Sequence, residues 1–413
     1  MAHHLVGSEI LKIATDIRVM LAEGKQICNL TVGDFSPSQF RIPKFLEEEI
    51  KKALTNGETN YPPSDGVFEL RKAVLKFYDH WLGLRYPVES VLISAGARPS
   101  IYAIYSALID LGDTVVFPVL TYNNNHYCHL VGAKPVPVAC DSKDSFLPTR
   151  SHLQSVIRGA RLLCLNSPLN PAGTAFSRKI LEEICDLVLE ENARRSKSER
   201  PLYMMYDQVY WMLTFGSTQH ENPVSLRPEL SPYVLFVDGI SKPFAATGVR
   251  VGWTVGPPDI VARMASILGH IGAWAPRAEQ VAVAKLLVAT DEIVSYHHEM
   301  KQGLQTRLEL LSNAFTALYS EGFAVETTPP MGAMYLSARF GLNGKKTQSG
   351  EILHTNEEIR KYLLLEAGLA IVPFQAFGVP DNTGWFRLSV GAVSENDITM
   401  MVPRLRLALS KLS

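Results

Sequence analysis

The chain alternates between short apolar runs and longer segments in which apolar residues recur at helical spacing. The apolar runs that predict strands are VLISAG, TVVFP, RLLCLNSP, LYMMYD and YVLFVDG. These runs are continuously apolar and do not alternate, which is typical of strands covered on both faces. The segments PSIYAIYSALIDLG and SRKILEEICDLVLEEN, which lie between strands, predict helices. This order predicts a mostly parallel sheet flanked by helices.

The pattern changes near Asp291, where a long helical stretch begins that continues to about Tyr319. Beyond this stretch, the strand-like runs AVETT, AMYLSA and WFRLSV are mixed with helical segments, which predicts a separate α+β lobe. The residues before about Leu46 predict helices that have no sheet of their own. We therefore expect these N-terminal helices to pack on the C-terminal lobe.

These two patterns predict the domain organisation. Residues 46–290 would form a large domain, and residues 1–45 and 291–413 would together form a smaller one. The predicted fold class is α/β, with a mostly parallel sheet flanked by helices in the large domain and an α+β arrangement in the small domain. The most polar segment, ENARRSKSERP, predicts a solvated helix end and loop.

The composition is that of an ordinary soluble globular protein, with 46% hydrophobic and 20% charged residues. Lysine and arginine number 40 and aspartate and glutamate number 41, so neither a nucleic acid nor a membrane surface is expected as the main partner. No apolar run approaches the roughly 18 residues of a membrane span. The start of the chain lacks the pattern of a signal peptide, and His3 and His4 suggest an expression remnant. We expect a cytoplasmic protein.

The five cysteines are scattered along the chain, with no CxxC pair and no His/Cys cluster at metal-ligand spacing. This distribution argues against a zinc site and against a disulfide framework. We therefore expect reduced, structural thiols and no metal in the functional site.

The residues that follow each predicted strand are the candidates for a binding site, because ligands collect at the carboxyl ends of strands in an open parallel sheet. The first strand ends at Gly96 and opens a helix, so the backbone N–H groups of Ala97 and Arg98 make an anion site. The later strand ends deliver Tyr122, Asn170, Asp207, Tyr210, Lys242 and Arg250.

Lys242 is unusual among these residues, because the segment VDGISKPFAATGVRVGW places an ammonium group in a run with little charge, directly after an apolar strand. A lysine whose pKa is lowered suits a Schiff base with an aldehyde. The carboxylate of Asp207 suits a protonated ring nitrogen, and arginine with helix N–H groups suits a phosphate. Together these groups are the set of side chains needed to hold pyridoxal phosphate.

Segments in five places resemble the motifs of fold-type I pyridoxal-phosphate-dependent aminotransferases of class I/II, and they follow the family's order. They are NYPPSDGVFELRKAV, NSPLNPAGT, YDQVY, ISKPFAATGVRVGW and FRLSVG. NSPLNPAGT matches the family's N-P-x-G turn, and YDQVY matches its strand-end D-x-x-Y. The resemblance runs from about Leu30 to the last helix. It implies an enzyme that exchanges the amino group of an amino acid with the oxygen of a 2-oxo acid by a ping-pong mechanism.

The resemblance also implies how the cofactor ring would be held. Lys242 would bind the cofactor aldehyde and, once released by substrate, would move the proton between the substrate Cα and the cofactor carbon. Asp207 would pair with the ring nitrogen. Tyr210 and Asn170 would hydrogen-bond the ring oxygen, and Tyr122 would stack on the ring.

For the phosphate, the resemblance implies binding by Arg250, by Ser241 and by the backbone of Ala97 and Arg98. Tyr61 would reach the phosphate held by the neighbouring subunit, which implies a homodimer.

For the substrate, the resemblance implies that Arg387 clamps the α-carboxylate with two parallel hydrogen bonds, which lysine cannot reproduce. Gly33 would leave room for the bound substrate, and Tyr122 and Asn170 would also contact it.

Two positions depart from the family pattern. Many relatives carry a phosphate-binding serine three residues before the lysine, whereas this chain has Gly239. The segment PFQAFG stands near the family's more usual P-G-x-x-F-G, and we expect its bulky Phe374 to reshape the substrate side of the pocket.

The sequence leaves the substrate and part of the chemistry open. A carbon–sulfur lyase or an aminocyclopropane-carboxylate-synthase-like enzyme would use the same residues. A ligand-sensing regulator on this fold is a third alternative. It is disfavoured because only about 30 residues precede the match and this segment as a whole is not basic. Arg41 and Arg277 are available for a second carboxylate. His270 and Trp274 either line the pocket or belong to the core.

Overall fold

The computed structural model describes residues 13, 17, 20 and 22–413. The features predicted for the first residues, including His3 and His4, lie outside the described part of the chain. The strands are β1 (Cys28–Asn29), β2 (Val91–Ser94), β3 (Thr114–Val119), β4 (Lys134–Ala139), β5 (Leu162–Asn166), β6 (Tyr203–Asp207), β7 (Val234–Gly239), β8 (Gly252–Val255), β9 (Val325–Thr327), β10 (Tyr335–Phe340), β11 (Leu369–Ala370), β12 (Val372–Pro373) and β13 (Trp385–Ser389). The α-helices of residues 22–413 are α1 (Lys44–Thr55), α2 (Phe68–Leu82), α3 (Ala97–Leu108), α4 (Asn124–Val131), α5 (Arg150–Leu153), α6 (Arg178–Arg194), α7 (Pro223–Leu226), α8 (Pro258–Ile271), α9 (Arg277–Leu286), α10 (Thr290–Ser320), α11 (Asn356–Ala367) and α12 (Glu395–Ser410).

The central sheet has seven strands in the order β2-β8-β7-β6-β5-β3-β4. Strands β4, β3, β5, β6 and β7 pair in parallel, whereas β8 runs antiparallel to both of its neighbours. The five strands predicted from the sequence are all present, as β2, β3, β5, β6 and β7. The prediction of a mostly parallel sheet flanked by helices is therefore confirmed.

The apolar pattern did not reveal β4 and β8. The sequence of β4 is KPVPVA, and its residues are largely exposed at the edge of the sheet. Proline lacks the N–H group that a central strand needs, so a strand with two prolines is tolerated at an edge. Strand β8 has only four residues and follows Arg250 almost directly, so its apolar run is too short to stand out.

Both faces of the sheet are buried, which explains why its strands are continuously apolar. Along β5, Leu163 and Leu165 belong to one hydrophobic cluster, and Leu162 and Cys164 belong to another. Successive side chains of a strand point to opposite faces, so the two clusters lie on opposite sides of the sheet. Helices packed on each side exclude water and leave the strand ends as the accessible edge.

A smaller α+β lobe follows the central sheet. Strands β12, β13, β10 and β9 form an antiparallel sheet, and β1 pairs in parallel with β11. The predicted long helix is confirmed as α10. Because β1 pairs with β11, the start of the described chain lies beside the C-terminal lobe, while the predicted boundaries at 45 and 290 stay predictions.

The described residues include no helix that is long and apolar enough to cross a membrane. They also contain no group of three or more metal-ligand side chains that could hold an ion. All five cysteines are free and buried, and burial raises the pKa of the Cys185 thiol to about 12. These thiols are therefore protonated at neutral pH and poorly reactive.

Candidate active site

The strand ends that carry the predicted site lie side by side. Asn166 at the end of β5 is opposite Asp207 at the end of β6, and Asp207 is opposite Val237 near the end of β7. Lys242 comes three residues after the end of β7. The parallel register therefore brings the turn after β5, the carboxylate of Asp207 and the lysine to one edge.

Lys242 is held inside this edge by its amino group. Its Nζ donates a hydrogen bond of 2.7 Å to the carbonyl oxygen of Gly33 and lies 5.9 Å from the centre of the Tyr210 ring. Burial lowers the pKa of Lys242 to about 8, and the nearby arginines add to this lowering, whereas Asp34 opposes it. A larger share of the amine is therefore neutral near physiological pH than for an exposed lysine, and the neutral amine is the nucleophile.

Asp207 is a carboxylate without a positive partner among the described residues. Its Oδ1 accepts a hydrogen bond of 3.2 Å from the backbone N–H of Val209. Burial raises the pKa of Asp207 to about 6, and the Val209 N–H group opposes this. A desolvated carboxylate without a cation is costly, so this position favours a ligand that brings a positively charged N–H group.

Arg387 lies on β13 of the small lobe and is almost fully buried, with 2% of its surface exposed. Its Nη1 donates to Asn170 Oδ1 at 3.2 Å, and its Nη2 donates to the carbonyl oxygen of Thr31 at 2.8 Å. Its Nε has no hydrogen-bond partner, and no carboxylate of residues 22–413 pairs with it. A buried guanidinium in this state is prepared to bind an anion.

Two aromatic rings hold the guanidinium of Arg387 between them. Its centre lies 4.8 Å from the Tyr335 ring and 5.2 Å from the Phe377 ring. The hydroxyl of Tyr335 also lies 2.7 Å from the hydroxyl of Tyr210. The strand-like run AMYLSA gave no indication of this role for Tyr335, because a tyrosine in an apolar strand is typical of core packing.

Gly33 faces the same group of residues. A Cβ at this position would lie 3.2 Å from the Tyr335 hydroxyl and 3.5 Å from Arg387 Nη1. A side chain there would fill the space beside the guanidinium, so the absence of one keeps the approach to Arg387 open.

The start of α3 lies against Arg250. Gly96 has a φ of 87° and precedes α3, whose first N–H groups, those of Ala97 and Arg98, have no partner within the helix. Arg250 donates from Nη2 to the Ala95 carbonyl at 2.8 Å and from Nη1 to the Thr247 carbonyl at 2.7 Å. A Cβ on Gly96 would clash with the Arg250 guanidinium. A helix N-terminus beside an arginine is a strong anion site.

Arg250 has a φ of 61°, in the left-handed region that a non-glycine residue seldom occupies. The surrounding structure keeps it in this conformation, with its guanidinium against the start of α3. Such conformations cluster at functional sites, and this one agrees with a binding role. Ser241, which directly precedes Lys242, is only partly buried and lies in the same segment.

Tyr122 makes a contact that the sequence did not reveal. The Arg98 guanidinium lies 5.1 Å from the centre of the Tyr122 ring, and its Nη2 donates to the Tyr122 hydroxyl. Arg98 also lies close enough for its charge to lower the pKa of Lys242, so its side chain belongs to the same electrostatic environment.

Tyr61 is not brought together with the other residues within this chain. It is 81% exposed, and its recorded ring contact is with Trp274, at 5.4 Å between centroids. Arg41 pairs with Glu47, and Arg277 pairs with Glu58. The two arginines considered for a second carboxylate therefore already have acidic partners.

The structure explains the first departure from the family pattern and locates the second. A Cβ at Gly239 would lie 2.8 Å from the Cα of Gly252 and 2.9 Å from the Val251 carbonyl oxygen, so the pairing of β7 with β8 leaves no space for serine. Phe374 is buried, with its ring stacked on Trp385 and 6.3 Å from the ring of Phe377, so its effect on the substrate side of the pocket stays a prediction. Phe377 is the phenylalanine of this segment that contacts Arg387.

Comparison with known proteins gives matches along nearly the whole chain. The family described as "Aminotransferase class I and II" matches residues 25–405. The aspartate aminotransferase of Rhizobium meliloti (strain 1021) is 29% identical, over 98% of this chain and 94% of the relative. The crystal structure of the aspartate aminotransferase from Rhizobium meliloti superposes with a TM-score of 0.90 at 28% identity, covering 100% of this chain and 98% of the other. An aromatic aminotransferase from Pyrococcus horikoshii OT3 superposes with a TM-score of 0.83 at 26% identity, over 95% and 98% of the two chains.

Proposed function

The chain belongs to the class I and II aminotransferases, and from this we propose that it moves an amino group between an amino acid and a 2-oxo acid at the site around Lys242. The observation that carries this location is the position of Gly33. Its carbonyl oxygen accepts a hydrogen bond from Lys242, and its Cα lies beside the guanidinium of Arg387. The amine and a guanidinium without a carboxylate partner among residues 22–413 thus both lie close to one small residue, which suits a molecule that carries both a reacting centre and a carboxylate.

Enzymes of this family use pyridoxal phosphate, and the residues present fit that cofactor. The unpaired carboxylate of Asp207 suits the ring nitrogen, and the start of α3 with Arg250 suits the phosphate. Asn170 and Tyr210 would bind the ring oxygen, with Tyr122 beside the ring. When bound, the cofactor supplies a conjugated ring that withdraws electrons from the substrate Cα.

The other steps belong to residues of the chain. Lys242 would hold the cofactor covalently and then act as the base and acid that moves the Cα proton, a role that its lowered pKa supports. Arg387 would orient the α-carboxylate so that the Cα–H bond faces Lys242. Ser241 would add a hydroxyl to the phosphate site, in which Gly239 offers none.

We infer the substrate class by matching each expected anionic group, the cofactor phosphate and the substrate carboxylates, to an arginine near Lys242. Arg387, Arg98 and Arg250 lie close enough to Lys242 for their charges to lower its pKa, after the larger effect of burial. The phosphate and the α-carboxylate account for Arg250 and Arg387. Arg98 is exposed, contacts Tyr122 and has no recorded carboxylate partner among residues 22–413. We assign Arg98 a second substrate carboxylate, which makes aspartate or another dicarboxylic amino acid the donor, in keeping with the name of the Rhizobium meliloti relative.

Assembly as a homodimer is part of the proposal. Tyr61 is highly exposed and lies outside its own chain's group of site residues, so we place its hydroxyl at the phosphate of a neighbouring subunit. A mixture of a Tyr61→Phe variant with a Lys242→Ala variant tests this. Hybrid dimers would contain one site with neither substitution and would regain activity only if Tyr61 acts across the interface.

We also propose that residues 46–290 form the cofactor-binding domain, with residues 1–45 and 291–413 in the smaller one. Limited proteolysis, which cuts preferentially at exposed connections between domains, would test the boundaries. A cytoplasmic location is a further proposal, and cell fractionation would test it.

The function is tested by adding pyridoxal phosphate to the purified protein and to a Lys242→Ala variant. The wild type should gain a cofactor absorbance band that borohydride makes permanent, and this band should change when aspartate is added. Lys242→Ala should show no covalent adduct. Lys301→Ala is the matched control, because burial also lowers the pKa of Lys301 although it lies on α10 away from the site. An adduct that persists in Lys242→Ala would contradict the assignment.

A further inference from the structure

Tyr335 connects the two halves of the proposed site. Its hydroxyl lies 2.7 Å from that of Tyr210, which is proposed to bind the cofactor's ring oxygen. Its ring face lies 4.8 Å from the guanidinium of Arg387, which is proposed to bind the substrate carboxylate. Tyr335 itself is 1% exposed, so neither contact is available to bulk water.

The hydrogen bond between the two hydroxyls has a preferred direction. Each hydroxyl has one hydrogen to donate. If Tyr210 donates to a ring oxygen, its own oxygen must accept, and the hydroxyl within reach is that of Tyr335. The reverse direction would use the hydrogen of Tyr210 on Tyr335 and leave none for the cofactor.

The charges around the pair favour the same direction. Burial raises the pKa of both tyrosines, and Arg387 opposes this at each of them. The guanidinium lies on the face of the Tyr335 ring itself, so Tyr335 is the stronger donor and Tyr210 the acceptor. A donor whose own oxygen accepts a hydrogen bond is strengthened in turn.

The backbone around Tyr335 keeps it in place. The Gly332 N–H donates to the Gly173 carbonyl at 2.9 Å, and the Ala333 N–H donates to the Leu213 carbonyl at 2.7 Å. The Ser337 hydroxyl donates to the Ala172 carbonyl at 2.9 Å. The start of β10 is thus attached on both sides of Tyr335 to the turn and loop that follow β5 and β6.

We propose that Tyr335 is a positioning residue that donates its hydroxyl hydrogen to Tyr210, directs the hydrogen of Tyr210 at the cofactor's ring oxygen, and holds Arg387 against its ring. This inference rests on the proposed function, because it assigns a role toward pyridoxal phosphate. It goes beyond that function in concerning a residue to which the proposed function assigns no contact with the cofactor or the substrate.

The test is a double-mutant cycle with Tyr335→Phe, Tyr210→Phe and the double variant, each loaded with pyridoxal phosphate. The measurement is the pH at which the cofactor absorbance band is half-converted. A hydrogen bond donated by Tyr210 favours the ionised form of the cofactor's ring oxygen and so lowers the midpoint. Tyr335→Phe weakens this hydrogen bond and should raise the midpoint by roughly half a pH unit, and Tyr210→Phe removes it and should raise the midpoint further. In the Tyr210→Phe background, the Tyr335 substitution should have no further effect.

An equal shift in both backgrounds would show that Tyr335 acts independently of Tyr210 and would overturn the proposal. No shift of the midpoint in either background would also overturn the proposal and would leave Tyr335 with only a packing contact to Arg387. Chemical unfolding of the four cofactor-free proteins provides a second readout, since a direct hydroxyl pair makes the two substitutions non-additive. Additive unfolding energies would show that the hydrogen bond is absent. If the wild type forms no cofactor band, the proposed function itself fails, which the unfolding cycle distinguishes from failure of the hydroxyl pair.

Discussion

Lys242 donates a hydrogen bond of 2.7 Å to the carbonyl oxygen of Gly33, a residue 209 positions earlier in the chain. This contact joins the segment after β7 to the segment after β1. It gives the amino group of Lys242 one acceptor, whereas an ammonium in water is surrounded by several. The lysine is therefore only partly compensated for leaving water, which agrees with its lowered pKa.

Because the Lys242 ammonium is poorly solvated in the folded protein, the stability of the cofactor-free protein should depend on pH. The pKa of Lys242 falls from 10.5 to about 8 on folding, so between these values the unfolded chain binds more protons and stability rises with pH. Below pH 8 the full penalty applies, on the order of 3 kcal/mol. Lys242→Met should therefore stabilise the cofactor-free protein at pH 7, and the gain should shrink as the pH approaches 10.5. Urea unfolding at several pH values measures this, and a gain that does not change with pH would show that the charge of Lys242 is not its cause.

Asp207 should make stability depend on pH in the opposite direction. Its removal should also raise stability while lowering activity. Its pKa rises from 3.8 to about 6 on folding, so the protein loses stability as pH rises through this range. Asp207→Asn cannot ionise and should stabilise the cofactor-free protein at pH 7 by on the order of 1 to 3 kcal/mol, with no gain below pH 4. Its kcat should fall more than its affinity for substrate, because in the proposed role the carboxylate would act most strongly at the transition state. Unfolding curves and steady-state kinetics measure the two effects, and a near-normal kcat would exclude the proposed role.

The sequence predicted those parts of the site that consist of polar residues at strand ends. Asp207 and Lys242 stand directly after apolar runs, where a charged side chain is conspicuous. The parallel order of the strands then requires that they meet at one edge. Arg387 was conspicuous for a related reason, since a guanidinium inside the apolar segment WFRLSV needs a partner.

The rest of the site depends on long-range packing that has no local signal. Tyr335 reaches Tyr210 because the start of β10 is hydrogen-bonded to the loops that follow β5 and β6, and nothing in AMYLSA indicates this. The sequence singled out Phe374 in PFQAFG, but the turn geometry decides which ring of this segment contacts Arg387. The ring that does so is Phe377, three residues later.

The substitution Arg387→Lys should separate carboxylate binding from cofactor binding. Lysine keeps the charge but cannot make two parallel hydrogen bonds or fill the space between the rings of Tyr335 and Phe377. We expect kcat/KM for aspartate to fall by about 100-fold, the size of a lost charge-assisted contact. Cofactor occupancy should be unchanged, because we propose that Arg250 and the start of α3 bind the phosphate. An amine without an α-carboxylate should be a poor donor for both proteins. Equal losses for aspartate and for such an amine would show that Arg387 does not bind the α-carboxylate.

Arg98→Gln should separate dicarboxylic donors from other amino acids. Removal of the guanidinium should lower kcat/KM for aspartate by about 10- to 100-fold, whereas alanine should change by less than about threefold. Arg41→Gln is the matched control, since Arg41 is exposed and already pairs with Glu47. Kinetics with both donors in the three proteins decide the assignment. If alanine and aspartate lose activity equally, Arg98 acts on the cofactor or on Tyr122 and not on a second carboxylate.

Gly239→Ser tests whether the phosphate site can be returned to the pattern of many relatives. The added Cβ would approach the Cα of Gly252 to 2.8 Å and the Val251 carbonyl to 2.9 Å, so β7 and β8 would have to separate. Crowding of this kind costs about 1 to 3 kcal/mol, and it would disturb the strand that leads to Lys242. Gly248→Ser is the matched control, because a Cβ at Gly248 meets nothing within 4 Å in the same segment. We therefore expect Gly239→Ser to lower both thermal stability and cofactor affinity, and Gly248→Ser to change neither. If Gly239→Ser instead binds the cofactor more tightly and its stability is unchanged, then β7 and β8 can separate at little cost. In that case the close packing of β7 on β8 does not explain the missing hydroxyl.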